Sequence, residues 1–229
     1  MDLNSLGTIK IIEYFNSIQG EGEFAGLPMT FIRLKECNLR CPFCDTRPWD
    51  ASFAIMTPLT LVHTLQDLMP GGILPHVCIT GGEPLLDPGL PLLIDLLADL
   101  VDTIHIETNA SPQVWTSKLD EKVRGWRPNV QFTVSPKTPK WGMADFYRGP
   151  YEFISDIKIL VGEDGPLNIG RLDDFIDVNC SVYLQPVDPG GTEPYIDRVK
   201  DAVFKICSIL KEYPEYQLSL QLHKLLNLR

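Results

Sequence analysis

The feature that most constrains this chain is an alternation. Short apolar, β-branched runs give way repeatedly to stretches with apolar residues at helical spacing. The runs Thr8–Tyr14, Met29–Leu34, Val77–Thr80, Thr103–Glu107, Val130–Ser135, Asp156–Val161 and Ser181–Gln185 read as strands. Leu59–Leu68, Leu90–Leu100, Gln113–Glu121 and Pro194–Tyr213 read as helices. The last is the best defined, because Tyr195, Val199, Ala202, Val203, Ile206 and Ile209 recur at helical spacing after the turn signal Asp188–Pro189–Gly190–Gly191. Strand-helix-strand succession buries both faces of a mostly parallel sheet, so an α/β architecture is expected. Helices are missing between some strands, which suits a partial, distorted (β/α) barrel better than a closed eightfold one. With no repeat, low-complexity tract or linker, the 229 residues read as a single domain over 1–229.

Residues able to do chemistry fall at or just after the strand ends. Arg33 and a cysteine group follow one strand, Gly81–Gly82–Glu83 another, and Glu107 a third; Ser135–Lys137 and Gln185–Pro186 follow two more. In parallel α/β folds that rim is where ligands bind. The formal charge of −10 argues against a nucleic-acid surface, which needs Lys and Arg in excess. No run of about 18 apolar residues suggests a membrane span, and Met1–Asn4 does not begin a secretory signal. A cytoplasmic, reducing location is therefore expected, in which exposed thiolates survive as metal ligands.

Three of the six cysteines stand close together in Cys37-Asn-Leu-Arg-Cys41-Pro-Phe-Cys44. This spacing lets one tight loop aim its thiolates at a single centre. On a cubane iron–sulfur cluster, three protein thiolates leave one iron open to a chelating ligand. A structural zinc site is the alternative, with His63 or Cys78 as a possible fourth ligand, and chance clustering is another. Cys78, Cys180 and Cys207 lie in apolar patterns and read as core residues. Further on, Ile79-Thr80-Gly81-Gly82-Glu83-Pro84 links a strand to a helix. Two glycines there let backbone come close to a ligand, and a neighbouring carboxylate suits a cationic amine.

Together the triplet and the Gly-Gly-Glu-Pro segment resemble the radical S-adenosylmethionine superfamily. The resemblance implies a [4Fe–4S] cluster on Cys37, Cys41 and Cys44, S-adenosylmethionine at the open iron, and the partial barrel of that superfamily. It extends over most of the chain through Ile18-Gln19-Gly20-Glu21-Gly22, Phe31-Ile32-Arg33-Leu34, Cys44-Asp45-Thr46, Glu107-Thr108-Asn109, Ser135-Pro136-Lys137, Gln185-Pro186-Val187 and Leu218–Lys224. Taken in order these are similar to the 7-carboxy-7-deazaguanine synthases, small lyases of deazapurine (queuosine-type) biosynthesis.

That family resemblance implies a radical ring contraction of 6-carboxy-5,6,7,8-tetrahydropterin with loss of ammonia and with S-adenosylmethionine regenerated. It places Ile18, Gln19, Gly20, Arg33, Thr80, His223 and the terminal Arg229 at substrate, and Thr46 at Mg²⁺. It places Phe43, Cys44, Asp45, Gly81, Gly82, Glu83, Glu107, Ser135–Lys137 and Gln185–Asp188 (through Pro186 and Val187) at the cofactor. A homodimer and an electron donor such as flavodoxin or ferredoxin are also implied. An activating enzyme for glycyl radicals and a zinc-binding structural module are the rival readings.

Overall fold

The computed structural model describes residues 7–67, 71–109, 111, 129–137, 154–167, 172–175 and 178–228. In chain order its elements are β1 (Ile9–Ile18), β2 (Pro28–Leu34), β3 (Ala54–Met56), α1 (Pro58–Asp67), β4 (His76–Gly81), α2 (Leu90–Leu97) and β5 (Thr103–Thr108). There follow β6 (Val130–Val134), β7 (Ile154–Gly162), β8 (Gly165–Pro166), β9 (Ser181–Pro186), α3 (Tyr195–Arg198), α4 (Lys200–Ile209), β10 (Gln217–Leu218) and α5 (Leu222–Leu225).

The strands form one open sheet in the order β10-β9-β7-β6-β5-β4-β2-β1-β3, with β8 paired to β7. From β2 through β10 every neighbouring pair on this path is parallel. β1 runs antiparallel to both β2 and β3. The α/β class and mostly parallel sheet expected from the alternation are thus present, and the path does not close into a full barrel.

Strand periodicity sorts the side chains onto two faces. Ile32 and Leu34, Val77 and Ile79, Ile104 and Ile106, Phe132 and Val134, Ile157 and Ile159, and Val182 and Leu184 all join the main core. That core is completed by Leu61, Val62 and Leu65 of α1, Leu90, Leu93, Ile94 and Leu97 of α2, and Ile206 and Ile209 of α4. The alternate positions, Arg33, Thr80, Glu107, Ser135, Lys158, Leu160 and Gln185, line a cavity on the other face. A sheet with helices on one side would ordinarily leave its other side to solvent. Here that side forms the cavity wall, with a smaller apolar group of Met29, Phe31 and Cys78 beside it.

Local signals explain most element ends. Thr57 caps α1, its hydroxyl accepting from Thr60 N at 3.1 Å, and Pro58 opens the helix. The helix expected over Pro194–Tyr213 is two pieces, parted at Val199 (φ −100°, ψ 1°) and ending at Ile209. Val199 N still bonds Tyr195 O, and Val203 N bonds Val199 O, so the break is a kink. Beyond Ile209 the chain continues as a turn, with Glu212 N and Tyr213 N both bonding Ile209 O, and Pro214 then bars the helical conformation from Tyr213. Cys207 is exposed, not core as its apolar surroundings suggest, while Cys78 is fully buried. Helix Gln113–Glu121 and residue Arg229 lie outside the described residues. No helix among the described residues is long and apolar enough to cross a membrane.

Candidate active site

The cavity, of about 520 Å³, lies at the C-terminal ends of the parallel strands. This is a size ordinary for a small-molecule site. Cys37, Cys41 and Cys44 stand on one wall, with Leu39 and Phe43 between them. The loop is tight: Cys44 N bonds Cys41 O at 3.1 Å, and Leu39 N and Arg47 N point at the sulfurs of Cys37 and Cys44. Burial, then the nearby charges of Glu83 and the other cysteines, raises the Cys37 thiol, and burial raises Cys41. Binding a metal centre would therefore have to supply the energy of deprotonation.

The double glycine serves this loop directly. A Cβ on Gly82 would sit 1.9 Å from Glu36 O, the carbonyl just ahead of Cys37. A Cβ on Gly81, whose φ is +116°, would sit 2.4 Å from Leu34 N and O. Gly82 N donates to Leu34 O and Glu83 N to Glu36 O. The close approach that requires glycine is thus by the chain leading to the cysteines, in addition to any ligand. Three convergent thiols on a loop wedged against a Cβ-free turn fit a cluster with one open iron.

Glu83 is placed otherwise than its motif suggests. It is fully buried and absent from the cavity lining. Its carboxylate accepts from Thr108 Oγ1 and Asn109 N at 2.7 Å and from Leu85 N at 3.1 Å. Burial outweighs these donors and pushes it up to about 7. It ties the turn after β4 to the end of β5, and the groups facing the cavity here belong to Gly81 and Gly82. Pro136 is likewise absent from the lining, whereas Ser135 and Lys137 are present. Lys137 Nζ bonds Ser135 Oγ at 2.7 Å, and burial with the nearby charge of Lys158 lowers it to about 8.

The opposite wall is assembled from distant parts of the chain. Gln19 is buried and donates to Glu107 Oε1 at 3.2 Å; Thr80 Oγ1 donates to Glu107 Oε2 at 2.6 Å. Glu107, expected with the cofactor residues, is thus bonded to Gln19 and Thr80, which were both expected with the substrate residues. His223 packs so closely on Gly20 that a Cβ there would meet its Nδ1 at 2.1 Å, and Leu222 N bonds Gly20 O. Gly20 and His223, more than 200 residues apart in sequence, thus meet here. Gln221 and Lys224 extend this contact by bonding Asp45, and Gln221 also bonds Glu21.

Arg33 Nε pairs with Glu13 at 2.9 Å, and its Nη1 donates to Thr46 Oγ1 at 3.1 Å. Asp188 takes both Arg198 Nε and Nη2, and Lys224 lies 3.3 Å away. These partners hold its carboxyl well below the usual range, Arg198 foremost. Ile18, Pro186 and Val187 complete the lining from the ends of β1 and β9.

Sequence reading missed Lys158. It is 6% exposed, lines the cavity, pairs with Glu21 Oε2 and stands 4.0 Å from Glu107 Oε1. A lysine amid the apolar residues of Asp156–Val161 was the available signal, since strand periodicity puts it on the face opposite Ile157 and Ile159. Behind it, ligand atoms of Cys78, His105 and Glu107 lie within 4.8 Å of one another. Lys158 opposes a cation there, and Glu107 is already bonded, so these residues form the back of the wall.

Fold and site together define a radical S-adenosylmethionine protein, and the description of the Radical SAM superfamily matches residues 32–149. A 7-carboxy-7-deazaguanine synthase of Aquifex aeolicus is 30% identical over 96% of this chain and 94% of its own length. One from Thermoplasma acidophilum is 39% identical over 82% and 88% respectively. The crystal structure of QueE from Escherichia coli shares the fold, with a TM-score of 0.64 at 24% identity, covering 93% of this chain and 94% of that one. The chain belongs to the 7-carboxy-7-deazaguanine synthase family of the radical SAM superfamily. Membership carries with it the superfamily's [4Fe–4S] cluster and S-adenosylmethionine.

Proposed function

We propose that this chain is a lyase that converts 6-carboxy-5,6,7,8-tetrahydropterin to 7-carboxy-7-deazaguanine and ammonia. The observation that carries the reading is that one cavity joins the cysteine wall to the Gln19–Glu107–His223 wall. A [4Fe–4S] cluster held there with S-adenosylmethionine would supply one-electron reduction and, from it, a radical able to abstract hydrogen from the pterin. The protein's own residues then have separable tasks. Cys37, Cys41 and Cys44 hold the cluster. The backbone of Gly81 and Gly82, with Phe43, Asp45, Ser135, Lys137 and the Gln185–Asp188 edge, seats the cofactor.

On the other wall Arg33 offers a guanidinium to the substrate carboxylate. Gln19, Thr80, Glu107 and His223 supply donors and acceptors for the pyrimidine edge. The alternating donors and carboxylates leave that edge one orientation, which brings the same ring carbon toward the cysteine wall in every turnover. Mg²⁺ belongs to this reading only as an ion shared with substrate. Thr46 Oγ1 is one neutral oxygen with Arg33 donating to it, so among the described residues it would need substrate oxygens and water to complete an octahedron. A substrate contact by Arg229, a flavodoxin or ferredoxin donor, and a homodimer complete the proposal.

The test is anaerobic reconstitution with iron and sulfide, then incubation with S-adenosylmethionine, reductant and the carboxytetrahydropterin. The expected result is a 7-carboxy-7-deazaguanine product identified by mass. Only slow 5′-deoxyadenosine release, with no deazaguanine, would favour an activating enzyme instead. A colourless protein holding zinc would remove the radical reading.

A further inference from the structure

Carboxylates do not ordinarily sit buried in pairs, because each opposes the other's ionisation. Yet Glu21 and Glu107 both face this cavity, with side chains 13% and 23% exposed. Lys158 reaches between them from β7, its side chain 7% exposed. Glu21 is further held by Gln221 Nε2 at 2.7 Å, and Glu107 by Thr80 and Gln19. Every one of these contacts joins segments far apart in sequence, so the ammonium is the point where the walls of the cavity are tied together.

We propose that Lys158 is a positioning residue: its ammonium fixes Glu107 and Glu21 as ionised acceptors, so that the cavity floor receives a pair of N–H donors on the substrate ring. The proposal rests on the pterin reading for the identity of that ring, whose amino-pyrimidine edge carries such donors. The groups facing Glu107 are Lys158 from β7, His105 on its own strand, Arg33 from β2, Cys78 from β4, His223 from α5 and Glu21 from the turn after β1. Burial alone would raise Glu107, and Lys158 is the largest influence that reverses this. The carboxylates in turn hold Lys158 charged against its own burial. Without the ammonium, Glu107 faces Glu21 in a desolvated pocket and should take up a proton.

The test uses the reconstituted enzyme and three variants: K158M, K158R and K158M/E21Q. The KM for carboxytetrahydropterin should rise roughly thirtyfold or more in K158M at neutral pH, the order expected when one partner of a buried charge pair is truncated. That KM should then fall as pH rises and Glu107 ionises, whereas wild type shows no such slope near neutrality. K158R, which keeps the charge, should restore the flat profile. Infrared difference spectroscopy supplies a readout independent of turnover: a protonated-carboxyl C=O band in K158M, titrating near neutrality and abolished by adding E107Q. Should K158M fail to fold, K158M/E21Q removes both charges of the pair and should still show the Glu107 band if its protonation is set mainly by Lys158. An unchanged KM with no new band would overturn the proposal. A wild type that makes no deazaguanine would overturn the pterin reading, while the infrared result decides Lys158 by itself.

Discussion

The two walls of the cavity are built in opposite ways. The cysteine wall is nearly all local: one loop from Cys37 to Cys44, steadied by one turn, Gly81–Gly82, at the end of the strand paired with β2. The facing wall has no local unit. Gln19, Arg33, Thr80, Glu107, Lys158, Gln221 and His223 come from six separate segments and converge only because the sheet and the chain's end place them together. A local wall should fail as a unit, since its thiolates serve one centre. A wall of many partners should fail by degrees, because each residue carries part of the recognition.

The largest effect expected is on the local wall. Cys41→Ser should abolish the cluster's visible absorption on reconstitution and lower deazaguanine formation by at least about a thousandfold, because residues acting as a unit are not additive. Retained absorption with full activity would show that the loop is not the metal site. Gly82→Ala comes next. Its backbone faces the cavity, but an added methyl would point the other way, into the chain ahead of Cys37, and lie 1.9 Å from Glu36 O. The turn must move and take the Cys37 end of the loop with it, at about 1–3 kcal/mol in stability. Cluster content should drop with the melting temperature; a Gly82→Ala protein with full iron and an unchanged melt would refute the wedge.

The facing wall should respond in kind but less. Glu107→Gln keeps the shape, loses the charge and leaves Lys158 with Glu21 alone. An increase in KM of roughly ten- to a hundredfold is expected, with a smaller change in kcat, the signature of lost ground-state binding. If kcat fell and KM did not, Glu107 would be working on the cofactor side after all.

The same contrast governs what the sequence could disclose. The seven strand runs and the first two helices were legible because β-branched runs and helical spacing are local properties, and the observed strands fall within a few residues of them. β3, β8 and β10 are two or three residues long and exist through pairing alone, so no periodicity announces them. The antiparallel direction of β1 comes from its return through Gly22 and Gly26, at φ +65° and +93°. The cysteine wall could be read because its residues are contiguous and chemically distinctive. Lys158 is a weaker signal, since a lysine in an apolar strand reads equally as an edge residue, and the bonds of Glu21 to distant segments leave no local mark. Glu83 shows the opposite error: its motif marks it as a ligand, and the fold buries it as a tie.

That tie supplies the smallest and last prediction, a pH dependence of stability. Burial pushes Glu83 up to about 7, from about 4.5 for a glutamate in the unfolded chain. Between those values the native protein holds a proton that the unfolded chain has released, so unfolding free energy falls as pH rises. The stabilisation is complete below about 4.5 and gone above about 7, up to ~3 kcal/mol in all. Three donors already point at this carboxylate, which favours ionisation, so a smaller slope within that window is the expected outcome. Urea midpoints of wild type and Glu83→Gln across pH 5–8 isolate it, because the amide cannot titrate. The difference between the two proteins should narrow or change in one direction only, with wild type losing ground as pH rises. Were wild type instead to gain on Glu83→Gln with rising pH, Glu83 would be an ionised group already satisfied by its donors, and the cysteine wall would be anchored by a charge.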